Sequence, residues 1–372
     1  MARPELRPRD RVVVKIGTTS LVGADGEPDD ERLGVFAQTV AEVMSAGFEV
    51  IVVSSGAIAA GLGPLDLSTR PADIPSLQAA AAVGQGRLLR RYARAFDALG
   101  LVSAQVLLTR YDFMHRQQYL NARNTLDRLL TFGVVPIVNE NDTVAVDEIS
   151  FGDNDRLAAL VANLTHAKLL VLLTNAKGVH SADPRQNPDA PLLDEVEIIT
   201  PELERAAAGG RGSDLSSGGM ASKLTAAWVA TFSGVGVIVA DATEPNVIRK
   251  AVSGERVGTY FHPRRQRGSA RRLWIAFAQP PRGTVVVDDG ARKAVVQGKR
   301  SLLPVGVTEV SGGFEAGDTV DVAGHDGTVF ARGLVRYGAR ELAEARGRST
   351  AELAGREVIH RDQLVVLRDE LG

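Results

Sequence analysis

The chain has 372 residues, 44% hydrophobic and 24% charged. That is the balance of a soluble globular protein, and the length suits two or three domains. Its 43 basic and 45 acidic residues leave a net charge of −2, so no global charge draws it to nucleic acid or a membrane surface. Cysteine is absent, which excludes disulfides, thiolate nucleophiles and cysteine metal sites.

No apolar run reaches the roughly 18 residues of a membrane span. The opening MARPELRPRDR lacks the apolar segment of a secretory signal. A cytoplasmic protein is expected.

Arg11 to Ile16 (RVVVKI) reads as a short buried strand that ends in Gly17-Thr18-Thr19-Ser20. Such a loop offers backbone N–H groups and hydroxyls to phosphate. Lys15 stands where the strand ends; a lysine snorkelling from a strand end is the alternative. Glu31 to Ala46 has helical spacing, with Leu33, Phe36, Ala37, Val40 and Val43 on one side. Val50 to Val53 is the next strand and runs into Ser54-Ser55-Gly56-Ala57.

Pro75 to Leu99 is an Ala-rich helical region with a break expected at Gly84-Gln85-Gly86. Ala104 to Leu108 is a strand and Arg116 to Phe132 a helix. The run from Val134 to Val138 is a buried strand that ends in Asn139-Glu140-Asn141-Asp142. A second polar knot, Gly152-Asp153-Asn154-Asp155, opens the helical run LAALVANL, with its N-cap at Asp153, Asn154 or Asp155. In an open α/β sheet, ligands bind beyond the carboxyl ends of the strands and against helix N-termini. Asn139, Asp142, Asn154 and Asp155 are therefore expected to converge on one pocket. Turn chemistry alone is the alternative, since Asn, Asp and Gly fill turns anyway.

Lys168 to Leu173 is a further strand ending at Thr174-Asn175. A Gly/Ser-rich stretch, Ala206 to Ser217, leads into Ser217-Gly218-Gly219-Met220-Ala221-Ser222-Lys223 and an apolar helix, Leu224 to Phe232. That Gly-rich turn with its lysine could hold nucleotide phosphates or be a flexible, serine-capped loop. Val235 to Val239 closes the series. The alternation of short β-branched strands with helices predicts an α/β fold, a mostly parallel sheet sandwiched by helices.

From His262 the run HPRRQRGSARR is a basic linker. After Pro280-Pro281 come short strands with turn signals: Thr284–Val287 before Asp288-Asp289-Gly290, then Asp318–Val322, Val329–Tyr337 and Gln363–Leu367. These predict a small β-rich C-terminal domain. The expected division is a first domain over 1–261, a linker over 262–281 and the β-rich domain over 282–368.

Several motifs are absent: GxxxxGK[ST], GxGxxG after a strand, HExxH and GxSxG. His360-Arg361-Asp362 imitates a protein-kinase catalytic loop without its Asn. The six histidines have no metal-ligand spacing, so no built-in metal site is expected.

Taken together, Val14-Lys15-Ile16-Gly17-Thr18, Ser54 to Gly61 (SSGAIAAG), Leu120–Leu126 (LNARNTL), Asn139 to Asp142, Gly152 to Asp155, Ala182 to Arg185 (ADPR) and Gly218 to Lys223 resemble the amino-acid kinase family, in its glutamate-phosphorylating branch. The tail, with GGFEAGDTV at Gly312–Val320, resembles the PUA domain that many such enzymes carry. The resemblance implies ATP-dependent phosphorylation of the side-chain carboxylate of L-glutamate to L-glutamyl 5-phosphate, the first step of proline biosynthesis. It implies that Lys15 and Lys223 neutralise the transferring phosphoryl group and that Asp155 orients them. Ser55, Asp142 and Asn154 would hold glutamate, with Asn139 nearby. Lys15, Thr174, Asn175, Ser217, Gly218, Gly219, Met220, Ala221, Ser222 and Lys223 would contact ATP.

Relatives commonly carry Thr-Asp where this chain has Thr174-Asn175, so no carboxylate is available there. Ser217 and Ala221 stand where Thr and Ser are common. Mg²⁺ would arrive with ATP, without a dedicated protein site. The implied partners are glutamate and ATP, proline as a feedback inhibitor, other copies of the chain in a homo-oligomer, and the next enzyme of the pathway. Other kinases of the family, acting on acetylglutamate, aspartate or carbamate, are the near alternative. RNA binding through the tail is the alternative of a different class.

Overall fold

A computed structural model describes residue 3 and residues 5–21, 29–144, 154–207, 219–264, 281–349 and 355–367. The chain divides into two compact units, Met1–Arg267 and Gly268–Gly372.

The first unit alternates strands and helices. In chain order it runs β1 (Arg11–Ile16), α1 (Thr18–Leu21), α2 (Asp30–Ser45), β2 (Glu49–Val53), α3 (Ala57–Leu62), α4 (Ile74–Asp97), β3 (Ser103–Leu108), α5 (Arg110–Met114) and α6 (Arg116–Thr131). It continues with β4 (Val135–Glu140), α7 (Asp155–Leu164), β5 (Leu169–Thr174), β6 (Glu195–Val196), α8 (Pro201–Ala207), α9 (Met220–Phe232), β7 (Gly236–Asp241), α10 (Val247–Val252) and β8 (Thr259–Phe261).

The strands form one eight-stranded sheet in the order β3-β4-β2-β1-β5-β7-β8-β6. All neighbouring pairs are parallel except β7 and β8. The predicted mostly parallel sheet is therefore the one observed. β1 lies at its centre, between β2 and β5. The chain lays strands on one side of β1, then crosses to the other. That reversal is the switch point beyond which such sheets bind ligands.

Strand parity separates the two faces. Val12, Val14 and Ile16 of β1 join a core with Leu33, Phe36 and Val40 of α2, Leu88, Tyr92 and Phe96 of α4, and Ile248 of α10. Val13 and Lys15 point the opposite way, where α7 packs on β1 and β5 and α9 packs on β7. Each fully buried Val or Leu contributes roughly 1.5–3 kcal/mol, and every residue of β5 is buried.

The helices start where local chemistry lets them. Asp29 caps α2 by accepting from the N–H groups of Glu31 and Arg32, and Asp30 and Glu31 lie in the first turn, favourable against the helix dipole. Asp73 caps α4 through Ser76 N–H, with Pro75 in the first turn. The apolar stripe predicted for α2 is the buried one.

The break expected at Gly84-Gln85-Gly86 does not occur, because α4 is continuous from Ile74 to Asp97. The glycines have a different use. A Cβ on Gly84 would lie 1.7 Å from the Ala57 carbonyl oxygen, and one on Gly61 would lie 1.9 Å from that of Ala80. α3 and α4 thus touch backbone to backbone. The contact offsets the roughly 1 kcal/mol that a mid-helix glycine costs.

The N-terminal segment is tied to the far edge of the sheet. The buried Arg3 guanidinium donates to the carbonyls of Val257 (2.6 Å), Asp194 (2.8 Å) and Gly258 (3.0 Å). His262 donates its backbone N–H to Val196 at 3.0 Å, and its Nε2 lies 2.8 Å from the Glu195 carboxylate. Of the expected basic linker, residues 265–280 lie outside the described residues.

The second unit contains β9 (Gly283–Val287), α11 (Asp289–Val296), β10 (Val307–Gly312), β11 (Thr319–Ala323), β12 (Val329–Leu334), α12 (Ala339–Ala345) and β13 (Leu364–Val366). Its five strands run β10-β9-β11-β12-β13 around a core that includes Val285, Phe314, Val320, Phe330 and Ile359. This is the β-rich domain predicted, with two helices and β10 in addition. Asp288-Asp289-Gly290, expected as a turn, begins α11 instead: Asp288 accepts from Ala291 N–H and caps it.

The α3–α4 contact generates a prediction. Gly84→Ala should lower the urea midpoint by an amount equivalent to about 1–3 kcal/mol, the usual cost of forcing atoms into a packed contact. An alanine variant as stable as the parent chain would show that the two backbones can separate freely.

Candidate active site

The carboxyl ends of β1 and β4 and the starts of α7 and α9 bring two groups of predicted residues into contact, Lys15, Asp155, Ser222 and Lys223 in one and Asn139 and Asn154 in the other. At the centre of the first is Asp155, the first residue of α7 and fully buried. Its Oδ1 lies 2.7 Å from Lys15 Nζ and its Oδ2 lies 3.1 Å from Lys223 Nζ. Ser222 Oγ donates to Oδ2 at 2.8 Å. Both lysines are nearly as buried as the carboxylate. Lys15 reaches Asp155 because its parity on β1 turns it toward α7. The sequence placed Lys223 at the end of a Gly-rich turn. In the structure α9 already begins at Met220, so Lys223 sits in the first helical turn and projects back to α7.

A chain of buried amides lies beside this cluster. Asn154 caps the start of α7 by its backbone, and its side chain makes no capping bond. Its Nδ2 donates instead to the Ser54 carbonyl at 2.5 Å and to Asn139 Oδ1 at 2.6 Å. Asn139 Nδ2 donates to Gln85 Oε1 at 3.2 Å. Ser55 follows β2, and its buried Oγ has no hydrogen-bond partner among the described residues. An unsatisfied buried hydroxyl is costly, and it suits a group that a ligand completes.

Asp142 lies two residues beyond β4, half-buried and without a hydrogen bond among the described residues. Burial pushes its carboxyl up to about 6, against the opposing pull of Arg70. A carboxylate held in this way favours an incoming cation over bulk water.

Thr174 ends β5 and is buried; its Oγ1 lies 3.4 Å from Oδ1 of the exposed Asn175. Gly219 is the exposed N-cap of α9, and Met220 and Ala221 form its half-buried first turn. Ser217, Gly218 and Asp153 lie outside the described residues. The sequence missed Gln85, Gln105 and the bond from Ser222 to Asp155. Its one signal was a glutamine between two glycines in an Ala-rich helix.

The family model described as the amino acid kinase family matches residues 10–241. The chain belongs to the amino acid kinase family. A PUA domain matches residues 283–355, within the β-rich unit.

Among relatives, the protein named glutamate 5-kinase of Geobacter sulfurreducens is 48% identical over 364 residues, covering 96% of this chain and 97% of the relative. Another of that name from Myxococcus xanthus is 48% identical over 372 residues, covering 98% of each. A solved carbamate kinase from Giardia lamblia, bound to AMP-PNP, superposes with a TM-score of 0.50 at 17% identity, covering 69% of this chain and 99% of its own. It shows the amino acid kinase fold.

The electrostatics of Asp142 can be tested directly. Its side-chain carboxyl, followed by carbon NMR in the ligand-free protein, should titrate near pH 6. Arg70→Ala removes a positive charge and should move the midpoint upward. A midpoint near the ordinary 3.9 would show that the carboxylate is fully hydrated.

Proposed function

We propose that Asp155, bridging Lys15 and Lys223, is the phosphoryl-transfer centre of an enzyme that phosphorylates the side-chain carboxylate of L-glutamate with ATP. The carrying observation is that bridge, in a chain 48% identical over nearly its whole length to a relative named glutamate 5-kinase. The product is L-glutamyl 5-phosphate, the activated intermediate that opens proline biosynthesis.

The chemistry asks for little covalent help. A carboxylate nucleophile is ionised at neutral pH and needs no general base. Transfer between two anions needs positive charge and in-line alignment. Lys15 and Lys223 supply the charge, and Asp155 fixes the distance between them. Gly219 to Lys223, with Ser217 and Gly218, would turn the N–H groups of α9 toward the nucleotide phosphates. Lys15, Thr174 and Asn175 would complete the ATP side. The Asp155 carboxylate is already engaged by lysines, which fits Mg²⁺ arriving on the phosphates with water ligands. The ion would add charge neutralisation there.

On the acceptor side, Ser55, Asp142 and Asn154, with Asn139 behind, would hold glutamate. Proline carries the same kind of ammonium and would compete for that position. The division into two units supports a kinase domain over 1–261, a linker over 262–281 and a PUA domain over 282–368. We expect a homo-oligomer and handover of the labile acyl phosphate to the next enzyme. No helix among the described residues is long and apolar enough to cross a membrane. Kinase activity on acetylglutamate, aspartate or carbamate, and RNA binding by the tail, are not favoured, since the nearly full-length relatives are named glutamate 5-kinase.

Purified protein with ATP, Mg²⁺, L-glutamate and hydroxylamine should yield γ-glutamyl hydroxamate. Product only from acetylglutamate or aspartate would refute this reading. Lys15→Ala and Lys223→Ala should each lower kcat by a factor equivalent to about 3–4 kcal/mol, as loss of one preorganised donor does elsewhere; a near-normal kcat removes that lysine from the site.

Asp142→Asn should raise KM for glutamate roughly 10- to 150-fold, the worth of a charge-assisted hydrogen bond, and leave KM for ATP unchanged. The sign of the pH effect follows. The ionised carboxylate binds the ammonium and the protonated one does not, so in the parent enzyme KM for glutamate should climb as pH falls below about 6. The variant should lose that climb.

A further inference from the structure

The buried amides beside the site share one feature: each is pinned by a backbone group. A side-chain amide can rotate by half a turn and exchange its oxygen for its nitrogen with little change in shape. A backbone N–H or C=O cannot. Asn154 Nδ2 meets the Ser54 carbonyl at 2.5 Å. Asn139 Oδ1 meets the Glu140 N–H at 2.9 Å. Gln85 Nε2 meets the Glu140 carbonyl at 3.1 Å.

These contacts determine the polarity of the whole chain. With Nε2 held by Glu140, Gln85 turns its Oε1 toward Asn139 Nδ2 and Gln105 Nε2, each at 3.2 Å. Asn139 is then held at both ends, and its Oδ1 accepts from Asn154 Nδ2 at 2.6 Å. Both N–H bonds of Asn154 are thereby used inside the protein. Its Oδ1 is the polar atom of that side chain left without a partner among the described residues. Asn154 can offer a ligand an acceptor but no donor.

We propose that Gln85 is a positioning residue: by pinning Asn139 it holds Asn154 with its carbonyl oxygen toward the substrate, so that the site selects an acid carrying a free ammonium. This rests on the glutamate reading above and deepens it. Asp142 and Asn154 would then be two acceptors for one cationic group, the first by charge and the second by fixed orientation. Gln85 touches no substrate. It supplies the acceptor for a buried N–H of Asn139, and a buried donor left unpaired is costly. Without that acceptor the unpaired Asn139 Nδ2 shifts toward another partner, and Asn154 Nδ2 keeps only the Ser54 carbonyl, so its oxygen is held toward the ammonium by one contact instead of two. Acid-only ligands make no such demand.

The test uses the full chain with Gln85→Met, which keeps length and bulk and removes both polar atoms. KM for L-glutamate should rise about tenfold, the effect of one lost hydrogen bond at a selective site. KM for ATP should not move. The inhibition constant of glutarate, a dicarboxylate of the same length without the ammonium, should stay within about twofold of the parent value. In an Asn154→Ala background, Gln85→Met should then change KM for glutamate no further, because the group it positions is gone. If Gln85→Met does not fold, Gln85→Asn, which withdraws the amide by one methylene, carries the same expectations.

Equal weakening of glutamate and glutarate would mean a structural role only and overturn the proposal, as would additive effects in the double variant or an unchanged KM for glutamate. Absence of hydroxamate from the parent protein would instead overturn the functional reading itself.

Discussion

A single carboxylate, fully removed from water, holds two lysines from opposite ends of the kinase domain. Burying ions costs several kcal/mol each, and the attraction between them repays this only with good geometry. Asp155 meets that condition with one lysine on each oxygen and a serine hydroxyl on the second. The elements around it must therefore be exact in register. β1 must present Lys15 on its α7 face, α7 must begin at Asp155, and α9 must begin three residues before Lys223. A shift of one residue in any of them would strand a buried charge. The packing of α7 against α9 and the wholly buried β5 can be understood as what keeps that geometry.

The polar interior has two layers with different physics. The ionic layer tolerates motion of a few tenths of an ångström, because Coulomb attraction falls slowly with distance. The amide layer behaves otherwise. Hydrogen bonds are directional, and an amide flipped end for end swaps attraction for repulsion at unchanged volume. Anchoring each amide to the backbone removes that ambiguity. In this fold the anchors are Ser54, just past β2, and Glu140, the last residue of β4, so the sheet itself sets the chemistry presented at its rim.

Much of this was legible in the sequence. Parallel strands buried on both faces give unbroken apolar runs, and RVVVKI, Val50 to Val53 and Lys168 to Leu173 stood out for that reason. Lys15 could be singled out because it interrupts such a run, and Asn154 and Asp155 because they open an apolar helix. The resemblance to a known family then supplied the roles that spacing left open. What was not legible depends on residues far apart in the chain. Gly84 looked like a helix break, because nothing local announces that Ala57 will press its carbonyl there. Gln85 and Gln105 were not singled out as polar partners, because only the fold brings Gln85 to Asn139 and Gln105 to Gln85. In the β-rich domain, β10 has too little alternation to be read, with exposure over most of its length, and the Asp288 cap is identical in composition to a turn.

The clasp made by Arg3 bears on how the molecule assembles. Its carbonyl partners lie 191 to 255 positions further along, among the longest closures a chain of this size can make. Non-local contacts of that kind order late, after the shorter loops have closed. The Arg3 segment is thus among the last to find its place, waiting until the strand pair at the sheet's far edge exists to receive it. Until then the carbonyls of Asp194, Val257 and Gly258, just ahead of β6 and β8, lack the guanidinium as a donor. The guanidinium acts as a seal on that seam.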